Sequence, residues 1–371
     1  MRIPIFQRYI LKVFIPVFLL SAFVFTALFM MVNFMQIIHR GILSGFSFYF
    51  LFKVLIYLIP NIFSMVLPLA FLMATLLSLG QLSGDGEIMA MRAGGFSFRE
   101  ILMSLFAGAL AVALLLIFIN NWLGPVFLRK SNDYVLAMAS KITKLELRPK
   151  TFQKISDWEI YSDKVDNKAQ KLQNVKLSRT FKKSDSNSLW LLRIDAREGN
   201  YEILKGKGLL MKFGNGRFNQ ADFKNNETLV YGTFTSYETL LPFFSKSSLN
   251  RKLYPREMQS FELLDKIKTN ELDQGVLMKY KVDFITRFTM VLTPIIFFLI
   301  GAPLGLLLEK RGKAMGFSLT LLIIFIYYGI SMMAMMLAKK HGMFFPWILY
   351  VPPILGFAAG AYIWRVKLYL K

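Results

Sequence analysis

Cysteine is absent from this chain. That excludes a disulfide framework and any thiolate-held metal. Histidine occurs only as His39 and His341, too seldom for a zinc cluster. There is no G-x-x-x-x-G-K-S/T loop, so the chain cannot hydrolyse a nucleotide by that route. G-x-S-x-G and H-E-x-x-H are missing too. The apolar stretches hold no series of carboxylates, since Asp283 and Glu309 fall near their ends. A proton- or sodium-driven carrier generally keeps ionisable groups near the bilayer midplane. The chain therefore reads as neither an enzyme nor an obvious ion-coupled carrier. If it moves something, the energy comes from another chain.

What is present is apolar and basic. Of 371 residues, 55% are hydrophobic, and the net charge is +22. Soluble domains do not carry such an excess in blocks of twenty residues. The charge could suggest nucleic acid, but no RNA- or DNA-binding motif accompanies it. In a membrane protein the same excess points to anionic lipid or a lipid-like anion.

Six runs are long enough to cross a bilayer. The first follows Arg2, Arg8 and Lys12 and extends to about Val32. It is longer than a signal-peptide centre and lacks a convincing cleavage site, so an uncleaved span is expected. The second, roughly Phe52 to Leu79, contains Pro60 and Pro68, which should kink it. The third is roughly Ile101 to Leu123. The last three are about Phe284 to Leu308, Met315 to Ala338 and Phe344 to Trp364, with Gly301-Ala302-Pro303-Leu304-Gly305 expected to break the fourth.

Between the third and fourth runs the chain turns polar, with 29 Lys+Arg and 18 Asp+Glu from Arg129 to Lys281. Thr151 to Leu241 alternates like strands, and Gly214-Asn215-Gly216 carries a hairpin signal. Several short strands at this spacing suggest a sandwich or jelly roll. Leu263 to Leu277 reads as a helix feeding the fourth span. The expected organisation is 1–128 for spans one to three, 129–260 for an inserted all-β domain, and 261–371 for a linking helix and spans four to six.

A short polar segment, Ser78 to Arg99, joins the second and third spans. Ser83, Asp85 and Glu87 place acceptors and negative charge where a helix N-terminus favours them. Gly94 and Gly95 stop that helix. Ser97-Phe98-Arg99-Glu100 is a capping box for the next one. The segment, about 83–95, is either a connector that happens to be helical or a docking helix that presents Glu87, Met91 and Arg92 to a cytoplasmic partner.

Six spans put both termini on one side with that segment. Eleven basic residues fall on this face, against Arg40, Lys53, Lys339 and Lys340 in the short loops opposite. The positive-inside rule places the termini and that segment in the cytoplasm, so the β insert lies outside the inner face. Basic residues near outer span ends, Arg40, Arg287, Lys339 and Lys340 among them, would suit a phosphorylated lipid head. They would equally anchor helices by snorkelling. Arg287 falls early in an apolar span, where an uncompensated charge is costly.

Three stretches resemble one family, the LptF/LptG permease subunits of the lipopolysaccharide exporter, also called YjgP/YjgQ. They are Leu82 to Phe96, LSGDGEIMAMRAGGF; Leu253 to Met258, LYPREM; and Ile300 to Gly305, IGAPLG, with Gly312 to Phe317. The resemblance implies a periplasmic β-jelly-roll and a paralogous six-span partner enclosing a lipid cavity. It further implies a cytoplasmic LptB-like ATPase dimer and an LptC/LptA-like periplasmic bridge. The chain itself would hold no cofactor, ATP being used by the partner. Carried over, Asp85, Glu87, Met91 and Arg92 match the coupling segment, with Glu87 as the acid that meets a basic residue on the ATPase. His39 and Arg40 match basic positions past the first span, and Asn33 stands where the family often has another. Two other readings remain open: a scaffold that displays the β domain and moves nothing, and a secondary carrier.

Overall fold

The computed structural model describes residues 5–42, 48–139, 147–155, 157–182, 189–204, 208–222, 228–242, 253–269, 274–307, 312–340 and 346–368. The chain divides into two compact units. The first is helical: Met1–Asn33, Leu55–Ser131 and Leu253–Lys371. The second holds Phe34–Val54 and Asn132–Lys252.

The helices follow the apolar runs. They are α1 (Ile5–Ile42), α2 (Phe48–Gly84), α3 (Glu87–Ala93), α4 (Phe98–Phe118), α5 (Gly124–Ala139), α6 (Ser260–Lys268), α7 (Gln274–Leu306), α8 (Gly312–Lys340) and α9 (Val351–Leu368). Among the described residues six are long and apolar enough to cross a bilayer. A one-turn π-helix, Ile119–Leu123, runs α4 into α5.

Two spans form the centre. Leu72, Leu76, Ile296 and Phe297 on α2 and α7 are wholly buried. The sequence expectation that Gly301 to Gly305 breaks the fourth span fails here, because α7 continues to Leu306 through Pro303. The glycines serve a close approach instead. A Cβ on Gly305 would lie 2.9 Å from the Leu79 Cβ, and one on Gly301 2.9 Å from a Leu72 methyl. Glycines four apart on a span allow two backbones to come together. By contrast α1 and α8 bury little of themselves. Phe23 of α1 is 72% exposed and Phe325 of α8 79%.

The linker expected over Leu263 to Leu277 divides. α6 stops at Thr269, whose hydroxyl donates to the Asp265 and Lys266 carbonyls of its own last turn. α7 begins at Gln274.

The second unit contains one six-stranded antiparallel sheet: β1 (Gln153–Ile155), β2 (Trp158–Asp166), β3 (Lys171–Lys182), β4 (Leu189–Leu204), β5 (Gly208–Asp222) and β6 (Thr228–Pro242). Each strand pairs with the next, which makes a meander. A flat meander would leave both faces wet, yet Leu177, Ile194, Leu209, Met211 and Leu241 are fully buried. The sheet bends over its own apolar face.

The bend is visible in the side-chain parity. Inward positions are Ile194 and Ala196 early in β4, then Tyr201 and Ile203; in β5 they are Leu209, Met211 and Phe213, then Phe218. Strand side chains alternate with period two, so a change of parity without a slip in register marks a corner. The register places Asp163, Asn174, Arg197, Asn215 and Thr235 side by side on this crease. Asn174 has φ +51°, and its amide donates to Asp163 at 3.0 Å.

Gly214-Asn215-Gly216 is therefore not a hairpin. It crosses the crease in mid-strand, paired on both sides. Gly216 is required there, because a Cβ would sit 2.6 Å from the Asp195 carbonyl oxygen and inside the Phe234 ring. Gly216→Ala is expected to destabilise the sheet by about 2 kcal/mol through overpacking. Thermal unfolding of the full chain, followed at the strand band in circular dichroism, would show it.

The crease should also respond to acid. The Asn174 amide, then the Tyr161 hydroxyl, hold the Asp163 carboxyl below its usual range. A group whose pKa is depressed in the folded state stabilises fully above its unfolded pKa, about 3.9 for Asp. That contribution is lost as pH falls through the lowered value. Asp163→Asn should therefore lower sheet stability at neutral pH and flatten its acid limb, the variant and the native chain converging below the lowered value, measured by the same spectroscopy.

Candidate functional site

The polar turn between α2 and α4 lies at the end of the helical unit that carries α1's N-terminus. α2 runs through Gly84, so Ser83 does not cap α3 as its sequence position suggests. Its hydroxyl donates instead to the Leu306 carbonyl at the end of α7, 2.8 Å away. Gly86, at φ +75°, is the N-cap residue of α3 and makes no side-chain bond to it. Only glycine takes that conformation without strain. Asp85 is exposed in the turn.

α3 has two faces. Ile88 is buried, and Met91 packs half-buried on the cluster formed by Ile10, Leu79, Leu82 and Ile101. Met89 is 63% exposed, and Arg92 lies over the Phe98 ring at 4.2 Å. Phe96 packs on Phe6 of α1 with ring centroids 4.4 Å apart. The capping box forms as expected: the Glu100 N–H donates to Ser97 Oγ, and the Ser97 N–H donates to Glu100 Oε2.

Glu87 stands between the faces, half-buried. Tyr9 of α1 donates its hydroxyl to Glu87 Oε1 at 2.9 Å. Glu87 Oε2 is shielded from solvent and has no partner among the described residues. A carboxylate oxygen held dry and unpaired is costly. None of the described residues supplies the donor that would satisfy it.

The second region lies towards the opposite end of the helical unit. There Arg287, 7% exposed, is tied into the chain. It donates to Asp283 at 3.1 Å, to the Pro255 carbonyl at 2.9 Å and to Ser260 Oγ at 3.1 Å. Arg256 pairs with the other oxygen of Asp283 at 3.4 Å. Ser260 in turn donates to Asn121 in the π-turn. These bonds fasten the short 3-10 turn Pro255–Glu257 and the start of α6 to α7 and the π-turn. The sequence marked Arg287 as a charge needing compensation; the structure places that compensation within the chain.

Of the other expected lipid-facing residues, only Asn33 and Lys339 have described side chains. Asn33 donates to the Phe29 carbonyl of its own helix. Lys339 is exposed near the end of α8. His39 and Arg40 lie in the last turn of α1 and Lys340 at the end of α8, and their side chains fall outside the described set. Lys53 and Lys130 sit over the Tyr134 and Phe127 rings, as helix anchors do.

Sequence reasoning missed Tyr9 and the amide pair Asn120-Asn121. Asn120 is 9% exposed and accepts from Ser64 of α2. Two adjacent amides inside an apolar run were the available signal, since buried polar groups need partners.

Six bilayer-length helices, a docked polar turn at one end and an inserted sheet domain define a multi-pass membrane protein. The family model for the lipopolysaccharide export system permease LptF/LptG matches residues 8–366. The chain belongs to that family. A search of curated proteins found no match.

Proposed function

We propose that this chain is one membrane subunit of an ATP-driven exporter that extracts lipopolysaccharide from the inner membrane. A cytoplasmic ATPase dimer of the LptB kind grips α3 and its flanks, with Asp85, Glu87, Met91 and Arg92 at the contact. The observation that carries this is Glu87 Oε2, dry and unpaired beside the exposed Met89 and Arg92. A basic side chain from the ATPase completes it, because a charge-assisted bond is worth most where water is excluded. The Tyr9 contact then ties that event to the first span.

A paralogous six-span subunit covers the broad apolar faces of α1 and α8. Such faces suit either lipid or a second membrane chain, and the two together enclose a lipid cavity. Lys339, Lys340, His39, Arg40 and Asn33 stand near its rim in this reading. The sheet domain lies in the periplasm as a jelly-roll-type conduit and hands the lipid to an LptC/LptA-like bridge. Folding one sheet over a continuous apolar face, as the crease does, suits passage of acyl chains.

Glu87→Arg tests this directly. It should abolish copurification with the ATPase and reduce lipid-stimulated ATP hydrolysis at least tenfold, leaving the chain in the membrane. Unchanged association and rate would sink the reading.

A further inference from the structure

The segment Leu253–Thr269, which precedes α7, carries apolar surface that the packing of the helical unit does not use. Leu263 and Ile267 of α6 pack with Met258, Tyr280 and Phe284. Phe261 stands about 200° round the helix from Leu263, at roughly 100° per residue. It is 82% exposed. The other exposed residues of α6 are charged: Glu262, Asp265, Lys266 and Lys268. Tyr254, just ahead of the 3-10 turn, is 67% exposed. Trp122, in the π-turn beside Asn121, is 56% exposed.

Helix rise gives the depth of these aromatics. α7 ends at Leu306, which Ser83 fixes to the α3 end of the unit. From Leu306 back to Arg287 the rise is about 29 Å, at ~1.5 Å per residue. On α4, Ile101 is the first residue past the charged Arg99 and Glu100. From Ile101 to Trp122 the rise is about 30 Å on the same basis. Both match the hydrocarbon core of a bilayer, about 30 Å. A tilt of about 20° shortens them by only about 6%. Arg287 and Trp122 therefore mark the hydrocarbon edge opposite α3. Ser260 accepts from Arg287 and donates to Asn121, so the start of α6 is held at that edge. Phe261 is the next residue.

At this depth an aromatic ring meets apolar chain ends on one side and water on the other, the setting in which such rings concentrate. Trp122 already continues the lipid-facing surface of α4, with Phe118 packed edge-on against it at 5.2 Å. We propose that Phe261, with Tyr254 and Trp122, forms an anchor inserted at the boundary between headgroups and acyl chains in the phospholipid leaflet opposite α3. Only the first turn of α6 enters. Leu263 and Ile267 share a cluster with Tyr280. Tyr280 lies about 10 Å further out than Arg287 along α7. The helix thus climbs away from the membrane and carries its charges into water. The anchor fixes the depth of the segment that joins the sheet domain to the fourth span. It involves no ATPase contact and no lipid between the spans, so it fails or holds separately from the Glu87 reading.

A chain without cysteine allows a direct test by site-directed spin labelling. Phe261→Cys and Tyr254→Cys, each carrying a nitroxide, are placed as full chains in vesicles of phosphatidylethanolamine and phosphatidylglycerol. Phe325→Cys on α8 is the control within the hydrocarbon, and Tyr231→Cys, at an 84% exposed position on the sheet, is the control in water. Collisions with oxygen, which concentrates in lipid, are compared with collisions with a water-soluble nickel chelate. Nickel collisions at the Phe261 and Tyr254 positions should be at least threefold fewer than at Tyr231, yet more frequent than at Phe325. Adding Phe261→Asp to the chain labelled at Tyr254 removes the ring and should raise nickel collisions there at least twofold. Nickel access at Phe261 equal to that at Tyr231 overturns the proposal. So does a label at Phe261 screened from both reagents, which marks a protein contact instead of lipid. An unchanged label at Tyr254 in the Phe261→Asp chain overturns it as well.

Discussion

Replacing Arg287 by alanine should cost this protein about 3–5 kcal/mol, the range for breaking a buried ion pair from one side. The charge is 7% exposed and its three bonds reach Asp283, Pro255 and Ser260. Removing it leaves Asp283, with a side chain 16% exposed, facing Arg256 alone among the described residues. It also frees the Pro255 carbonyl and the Ser260 hydroxyl. The loss should appear as a large drop in the thermal midpoint of the detergent-solubilised chain. It should also loosen the segment that leads from the sheet domain into α6, read as faster protease cleavage near Tyr254. The double variant Arg287→Met, Asp283→Leu separates charge from shape. Buried pairs replaced together by apolar residues of similar volume are often neutral or stabilising, so the double should recover most of the loss. If Arg287 served only a lipid phosphate, the single variant would melt like the native chain.

That residue shows how far the sequence could be read. An arginine in the first turns of an apolar span announces a need for compensation, and the need is real. The partners Pro255 and Ser260 lie 32 and 27 residues away; Ser260 carries no sequence mark, and the LYPREM stretch that holds Pro255 marked a family resemblance without saying what it touches. Local signals fared better. The Ser97–Glu100 capping box spans four residues and formed as read, because both partners are fixed by one helical turn. Glycine signals misled. Glycine marks either freedom of φ or a close approach, and a sequence does not distinguish them. Gly214 to Gly216 looked like a turn but crosses the sheet crease, where Phe234 needs the room. Likewise Gly301 to Gly305 looked like a break but is a contact face. The α3 acid was legible by its position, whereas its dry unpaired oxygen and its bond to Tyr9, 78 residues away, were not.

Gly305→Leu is expected to disrupt both the helical centre and whatever α3 transmits. A Cβ at Gly305 already meets the Leu79 Cβ at 2.9 Å, the Thr75 carbonyl oxygen at 3.3 Å and the Leu76 Cα at 3.5 Å. Two of those three are backbone atoms, which cannot rotate away. A leucine must push α2 and α7 apart, and overpacking of this kind costs roughly 1–3 kcal/mol or more. The position has a second consequence. One residue on, the Leu306 carbonyl accepts from Ser83, the hydrogen bond that fixes the α2 end from which α3 hangs. Separating the helices breaks that bond and shifts α3 and Glu87 as one piece. Gly305→Leu should therefore lower the thermal midpoint and weaken association with an ATPase together, whereas Ser83→Ala should weaken association with a smaller thermal change. Gly108→Ala supplies the control, since its new Cβ meets only a Phe71 ring atom at an ordinary 3.6 Å. Were Gly305→Leu to melt and associate like that control, the close contact between α2 and α7 would not be what holds α3 in place.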